Sequence, residues 1–255
     1  MSKKENELLV KELYEKYPYP SRPRSTKKEL LNYSTWVAKI VGLGNEFWNK
    51  KDILELGCGT GELANSLALC GAKVNAIDFS HSSITKAKEL QKMVKTNVQF
   101  EEKNILEFEN KKRFDIVISL GALHHTIDAR SGFAIATKHC KQNGFVIIGL
   151  YNKYSRFRHR LRRIILFLFA GKNIEKRITL GKKLFGGHPS KSWLADKYGQ
   201  VHESYHSVNE VLKWFNEEEI EFVASKPKFA TPIIDELKWL FRKQNAFFVM
   251  VGQKS

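Results

Sequence analysis

Cysteine is scarce in this chain: Cys58, Cys70 and Cys140 are scattered over 255 positions. That number and spacing exclude a disulfide framework and a CxxC metal site, and they fit a reducing, cytoplasmic interior. Long apolar runs are missing as well. The longest, IILFLFA at 164–170, falls far short of the ~20 residues that cross a bilayer, and MSKKENELLV at the start carries no apolar core of a secretion signal. A soluble chain is expected. Acids are outnumbered, with 43 Lys and Arg against 27 Asp and Glu and a formal net charge of +16. The excess is local: residues 151–191 hold twelve basic side chains against one acid, Glu175, a charge of +11 that leaves +5 for everything else. So concentrated a field points to an anionic partner or surface.

What the chain does have is alternation. Leu8, Leu9, Leu13, Tyr14 and Tyr17 predict a helix over 5–17, YPYPSRPR then breaks it, and a second helix is expected over about 27–44. From residue 52 the pattern predicts strand 52–57, helix 61–70, strand 73–78, helix 82–95, strand 97–101, strand 114–119, helix 128–141 and strand 144–150. Gly71 stands where a helix C-cap belongs. Short Ile- and Val-rich strands between amphipathic helices make an α/β fold: a Rossmann-like, mostly parallel sheet sandwiched by helices. The alternation lapses in the basic stretch to residue 206 and resumes with helix 208–217, strand 220–225, a helix near 233–242 and strand 246–252. Four regions follow: an N-terminal helical cap (1–49), a core (50–151), a basic lid (152–206) and the C-terminal part of the core (207–255).

DILELGCGTGELANSLA, residues 52–68, sets Gly57, Gly59 and Gly61 on alternate positions behind an apolar strand. No Lys-Ser or Lys-Thr follows at P-loop spacing. A dinucleotide GxGxxG is opposed by Glu62, a carboxylate where the pyrophosphate would lie. The remaining pattern, GxGxG, lets bare backbone approach a ligand that has no phosphate.

LELGCGTG resembles the cofactor loop of class I S-adenosylmethionine (SAM) dependent methyltransferases. Asp78, ending VNAID, matches that family's ribose-binding acid; Asn104-Ile105 resembles its adenine contact, and FDIVISLGALHH its fourth strand and substrate loop. The resemblance spans about 52–151 and implies SAM as cofactor, a seven-stranded sheet and an antiparallel last strand, AFFVMVG. It implies cofactor contacts from Glu55, Gly57, Cys58, Gly59, Gly61, Asp78, Phe79, Asn104, Ile105, Ser119 and Leu120. Glu55 would meet the methionine ammonium. Asp78 has a second reading as the brace of a helix starting near Ser80.

Methyl transfer from a sulfonium is an in-line displacement that needs alignment and exclusion of water. An acceptor hydroxyl or ammonium must also lose a proton, and GALHHTID offers His124 and His125 as bases, or as loop-packing residues. The loop is similar to that of ubiquinone-type O-methyltransferases, with His124 in place of their Glu. HESYH matches HExxH at His202 and His206, but Ser207 reads as an N-cap, which leaves the motif in a loop, so no metal is expected. His202, His206, Tyr17, Tyr19, Tyr151 and Arg158 are candidates for the acceptor side, with Arg22 or Arg24 near an acceptor's charge.

In the lid, Arg158, Arg162 and Arg163 fall near one helical face and Phe157, Leu161, Ile164, Ile165 and Leu168 near another. Such a helix docks its apolar face on the core, lies in a membrane interface as a peripheral contact, or meets nucleic acid phosphates. Without an RNP signature, a zinc module or a base-methylation motif, nucleic acid is the weaker partner. The expected function is methyl transfer from SAM to oxygen, less so nitrogen or carbon, of a small, anionic or lipid-attached acceptor. The alternatives are an RNA or DNA methyltransferase, a non-catalytic SAM-pocket protein, and an NAD-dependent oxidoreductase. The oligomeric state is left open.

Overall fold

The computed structural model describes residues 3–20, 26–240 and 246–255. Two helices open the chain, α1 (Lys3–Lys16) and α2 (Lys27–Ala38). Thr26 starts α2 with a capping box closed by Glu29. The helix expected over 27–44 stops at Ala38, because Lys39–Val41 tighten into a 3₁₀ turn and Gly42 leaves it in left-handed backbone (φ 75°). The alternating core follows as β1 (Asp52–Leu56), α3 (Glu62–Leu69), β2 (Lys73–Asp78), α4 (His81–Val94), β3 (Val98–Glu102), β4 (Phe114–Leu120), α5 (Ala129–Lys138) and β5 (Cys140–Tyr151). Strand β5 starts four residues before the sequence expectation. Cys140 pairs with Phe114 ahead of a register shift, so α5 gives way to β5 at once.

The lid is helical: α6 (Phe157–Ala170), α7 (Ile174–Phe185) and a short α8 (Lys191–Leu194) that runs into a π-turn at Ala195–Gly199. Then come α9 (Val208–Glu217), β6 (Ile220–Lys226), α10 (Pro232–Trp239) and β7 (Phe247–Lys254). Among the described residues seven strands form one sheet in the order β3-β2-β1-β4-β5-β7-β6. Strands β1 to β5 are mutually parallel, and β7 runs antiparallel to both β5 and β6.

Alternation along the strands places a core on each face. Ile53, Ile116, Ile147 and Val249 meet α2, α3 and Trp48. Leu54, Leu56, Val117 and Ile148 meet Phe133 of α5 and Trp214 and Phe215 of α9. Strand order reverses between β1 and β4, so their C-terminal ends diverge into a crevice. Among the described residues no helix is long and apolar enough to cross a membrane.

Candidate active site

Beyond Leu56, the amides of Gly57 and Cys58 both donate to the Ile77 carbonyl, at 2.8 and 2.9 Å. The chain thus turns across the end of β2 before α3 begins. Gly57 (φ 77°) and Gly59 (φ 53°) take left-handed backbone there. A Cβ on Gly57 would stand 2.1 Å from that of Ala122, one on Gly59 2.3 Å from the Tyr19 carbonyl oxygen, and one on Gly61 2.7 Å from the Ala87 Cβ. The glycine pattern suggests a ligand pressed on bare backbone. At all three Cβ positions the structure puts the chain's own atoms instead: the loop after β4, the segment after α1, and α4.

A cavity of about 470 Å³ opens around this turn, within the roughly 300–1,000 Å³ of small-molecule sites. Glu55, Gly57, Cys58, Gly59, Asp78, Phe79, Asn104, Ile105 and Leu120 line it; Gly61 and Ser119 do not. Gly61 packs against α4, and the Ser119 hydroxyl donates to the Leu56 carbonyl at 2.9 Å, tying β4 to β1. Asp78 takes the bracing role, and its carboxyl also reaches the cavity. Its Oδ2 accepts from Gly59 N (2.9 Å) and its Oδ1 from Ser80 N (3.0 Å), bracing the loop and the start of α4, while the carboxyl lines the cavity. A carboxylate has about four acceptor sites, so capacity remains. Burial pushes its pKa up to about 6, against the pull of those backbone bonds.

Glu55 is the anomaly. It is buried, and its Oε2 has no hydrogen-bond partner among the described residues. Burial, then the neighbouring Glu62 and Asp78, push its pKa well above the usual carboxylate value. A buried, under-coordinated carboxyl among acids is costly unless a cation joins it. The cavity wall carries Glu7, Glu55, Glu62, Asp78 and Asp196, and among the described residues no lysine or arginine. Among the described residues the wall therefore offers an acceptor no fixed cation. Arg158 is exposed on α6, away from this wall, and Arg22 and Arg24 lie outside the described residues.

The two histidines after β4 part company. His124 is fully buried, tilted on Tyr151 with ring centroids 3.7 Å apart, and neither ring nitrogen has a hydrogen-bond partner among the described residues. Burial, then His125, hold its pKa well below the imidazole value, so it packs as a neutral ring. His125 lines the cavity. Its Nδ1 lies 3.3 Å from the His202 carbonyl, which only accepts, so Nδ1 carries the proton and Nε2 presents the lone pair. Nε2 stands 3.9 Å from Asp196 Oδ1. Asp196 in turn accepts from the Tyr14 hydroxyl (2.9 Å), to which Gln200 donates at 2.9 Å. Burial lowers the His125 pKa, with the Asp196 charge opposing, and burial raises that of Asp196.

Of the remaining acceptor-side candidates, Tyr19 and Tyr151 line the cavity and four do not. The Tyr17 hydroxyl donates to Glu175, fastening α1 to α7, and Arg158 is the exposed residue already described. The HESYH stretch is not helical, so its histidines do not share a face. His202 Nε2 faces the Thr126 carbonyl at 3.0 Å, and His206 sits between Glu210 and Ser204. His202 thus braces the loop that carries His125, while His206 is tied to the start of α9.

A family model described as a methyltransferase domain matches residues 49–219, about two thirds of the chain. The chain belongs to the class I SAM-dependent methyltransferases. It is 32% identical over 117 residues to a ubiquinone biosynthesis O-methyltransferase of Rickettsia akari, which covers 46% of this chain and 47% of the relative. The chain thus spans about half the length of the curated relatives it matches. Its fold is similar to that of magnesium protoporphyrin IX methyltransferase from Synechocystis PCC 6803 with bound SAH, with a TM-score of 0.62 and 14% identity over 98% of this chain and 100% of the other. A putative SAM-dependent methyltransferase from Listeria monocytogenes gives 0.57 and 18%, over 88% and 98%.

Two features of this methyltransferase escaped the sequence reading. Tyr14 read only as part of an apolar stripe, yet its hydroxyl reaches Asp196. Asp196 and Glu203 are isolated acids in a basic stretch; the Glu203 side chain is fully covered and that of Asp196 is 13% exposed. That isolation was the available signal. Glu203 accepts from Arg156 (3.2 and 3.3 Å) and Tyr205 (2.6 Å), with Arg163 Nη1 at 3.4 Å and His159 Nε2 at 3.8 Å. Arg156 lies over the Tyr151 ring, 3.4 Å from its centroid, so this cluster supports the cavity wall from behind.

Proposed function

We propose that the chain transfers a methyl group from SAM to an oxygen of a small, uncharged acceptor with aromatic character, with His125 as general base. The observation that carries this is the His125 imidazole on the cavity wall, its Nδ1 committed to a backbone carbonyl and its Nε2 facing Asp196. Glu55 would receive the methionine ammonium, which supplies the missing cation. Asp78 would accept from the ribose hydroxyls, with Phe79, Asn104 and Ile105 on the adenine side. SAM brings an electrophilic methyl on a sulfonium, so the chain need supply no nucleophile of its own. Its residues align the acceptor and shut out water: Tyr14, Tyr19, Tyr151 and Phe247 wall the cavity with rings. His125 Nε2 takes the acceptor's hydroxyl proton, and Asp196 stabilises the imidazolium that forms. Oxygen as the target is supported by the similarity to ubiquinone biosynthesis O-methyltransferases.

The test is transfer of labelled methyl from SAM to a panel of catechols, phenols, primary amines and RNA. Label in an aryl methyl ether is expected; label in amines or RNA alone would overturn the oxygen assignment.

Asp78→Asn is expected to weaken SAM binding by roughly 1–3 kcal/mol through loss of charge-assisted hydrogen bonds. The ribose hydroxyls favour the ionised carboxylate. Wild-type affinity should therefore fall as pH drops through about 6, the value for the free protein. Calorimetry across that range, flat in both proteins, would remove Asp78 from the cofactor site.

A further inference from the structure

We infer that α6 is a docking element for an anionic lipid surface. Of the three readings left open for this helix, docking of the apolar stripe on the core is not the one the structure shows. Phe157, Leu161, Ile164 and Leu168 are 51%, 45%, 56% and 74% exposed, while Arg163 and His159 turn inward to Glu203. The helix buries Leu166 and Ala170 and offers water its most hydrophobic face. At 100° per residue, Arg158 and Arg160 flank that stripe on opposite sides, both exposed. An apolar stripe with an exposed arginine on each side matches a helix lying in the headgroup boundary of a membrane. The stripe enters the acyl edge while guanidinium groups meet lipid phosphates.

Charge selects this occupant over others. Helix α6 contains four arginines and no acid, within a segment of charge +11. A second copy packed symmetrically on the stripe would set arginine against arginine. Nucleic acid would neutralise the arginines but leave the apolar stripe in water. An anionic bilayer satisfies both. The inference is independent of the methyl acceptor, although α6 begins immediately after Arg156, which backs the cavity residue Tyr151.

The test is co-sedimentation of the full chain with vesicles of phosphatidylcholine, alone or mixed with phosphatidylglycerol. Partitioning at least about tenfold stronger on the mixed vesicles is expected. I164D/L168D, at exposed positions, should abolish binding, and R158E/R160E should weaken it about tenfold or more. Both variants should keep the wild-type affinity for SAM, read by calorimetry, which shows that the fold is intact. Equal binding to both vesicle types, or undiminished binding by folded I164D/L168D, would overturn the inference. So would a solution dimer that I164D/L168D converts to monomer, because the stripe would then be covered by protein.

Discussion

A His125→Asn variant is expected to bind SAM as the wild type does and to lose about 10²–10⁴-fold in kcat, the usual range for removing a general base. The asymmetry with its neighbour makes the result diagnostic. His124 has no route to the cavity, so His124→Phe, which keeps a flat ring against Tyr151, should leave kcat within a few fold once folded. The pH profile carries a second signature. Burial holds the His125 pKa below the ordinary 6.5, so the base form persists through neutrality and the acid limb of kcat/KM, which reports the free protein, should lie below that value. Asp196, whose charge raises the His125 pKa, opposes burial, and Asp196→Asn should therefore move the limb further to acid. A kcat for His125→Asn within tenfold of wild type, with an unchanged profile, would take His125 out of the chemistry.

Glu203→Ala is expected to destabilise the fold by about 3–5 kcal/mol, because it strands Arg156 and Arg163 in a buried site without their counter-charge. For a chain of this size that lowers Tm by roughly 6–20 °C. Burial alone would raise the pKa of Glu203; the charges of Arg163 and Arg156, with His159 beside it, outweigh burial and hold it well below 4.5. A carboxylate with a depressed folded value contributes stability that is fully present above its unfolded value of 4.5. That contribution is lost as pH falls through the folded value. Acidification should therefore loosen the lid first, seen as faster hydrogen exchange in α6 and α7 than in β1 or β4. A Glu203→Ala midpoint in urea equal to wild type would show that the cluster contributes nothing net.

The elements from residue 52 to 120 were legible because each carries its own local signal. Ile and Val runs made the strands, a 3.6-residue period made α4, and further along Ser207 capped its helix as expected. The strap and lid contacts were not legible, since they join residues far apart in the chain. Tyr14 to Asp196 spans 182 positions, and nothing in ENELLVKELYEKY marks one tyrosine as the partner of a distant acid. The two adjacent histidines had equal standing in the sequence; a 3₁₀ turn at Leu123–His125 sends one ring to the cavity and the other under Tyr151.

By itself, the sequence determined the sheet with its covering helices, the glycine turn with the acid at Asp78, and the local excess of positive charge, because periodicity, turn chemistry and composition are properties of neighbouring residues. Tertiary structure alone decided what crowds the glycines, which histidine can reach an acceptor, and which face of α6 meets water. A helix has two sides whatever its sequence. Here the buried carboxylate of Glu203, which draws Arg163 and Arg156 inward, goes with an apolar stripe that faces outward.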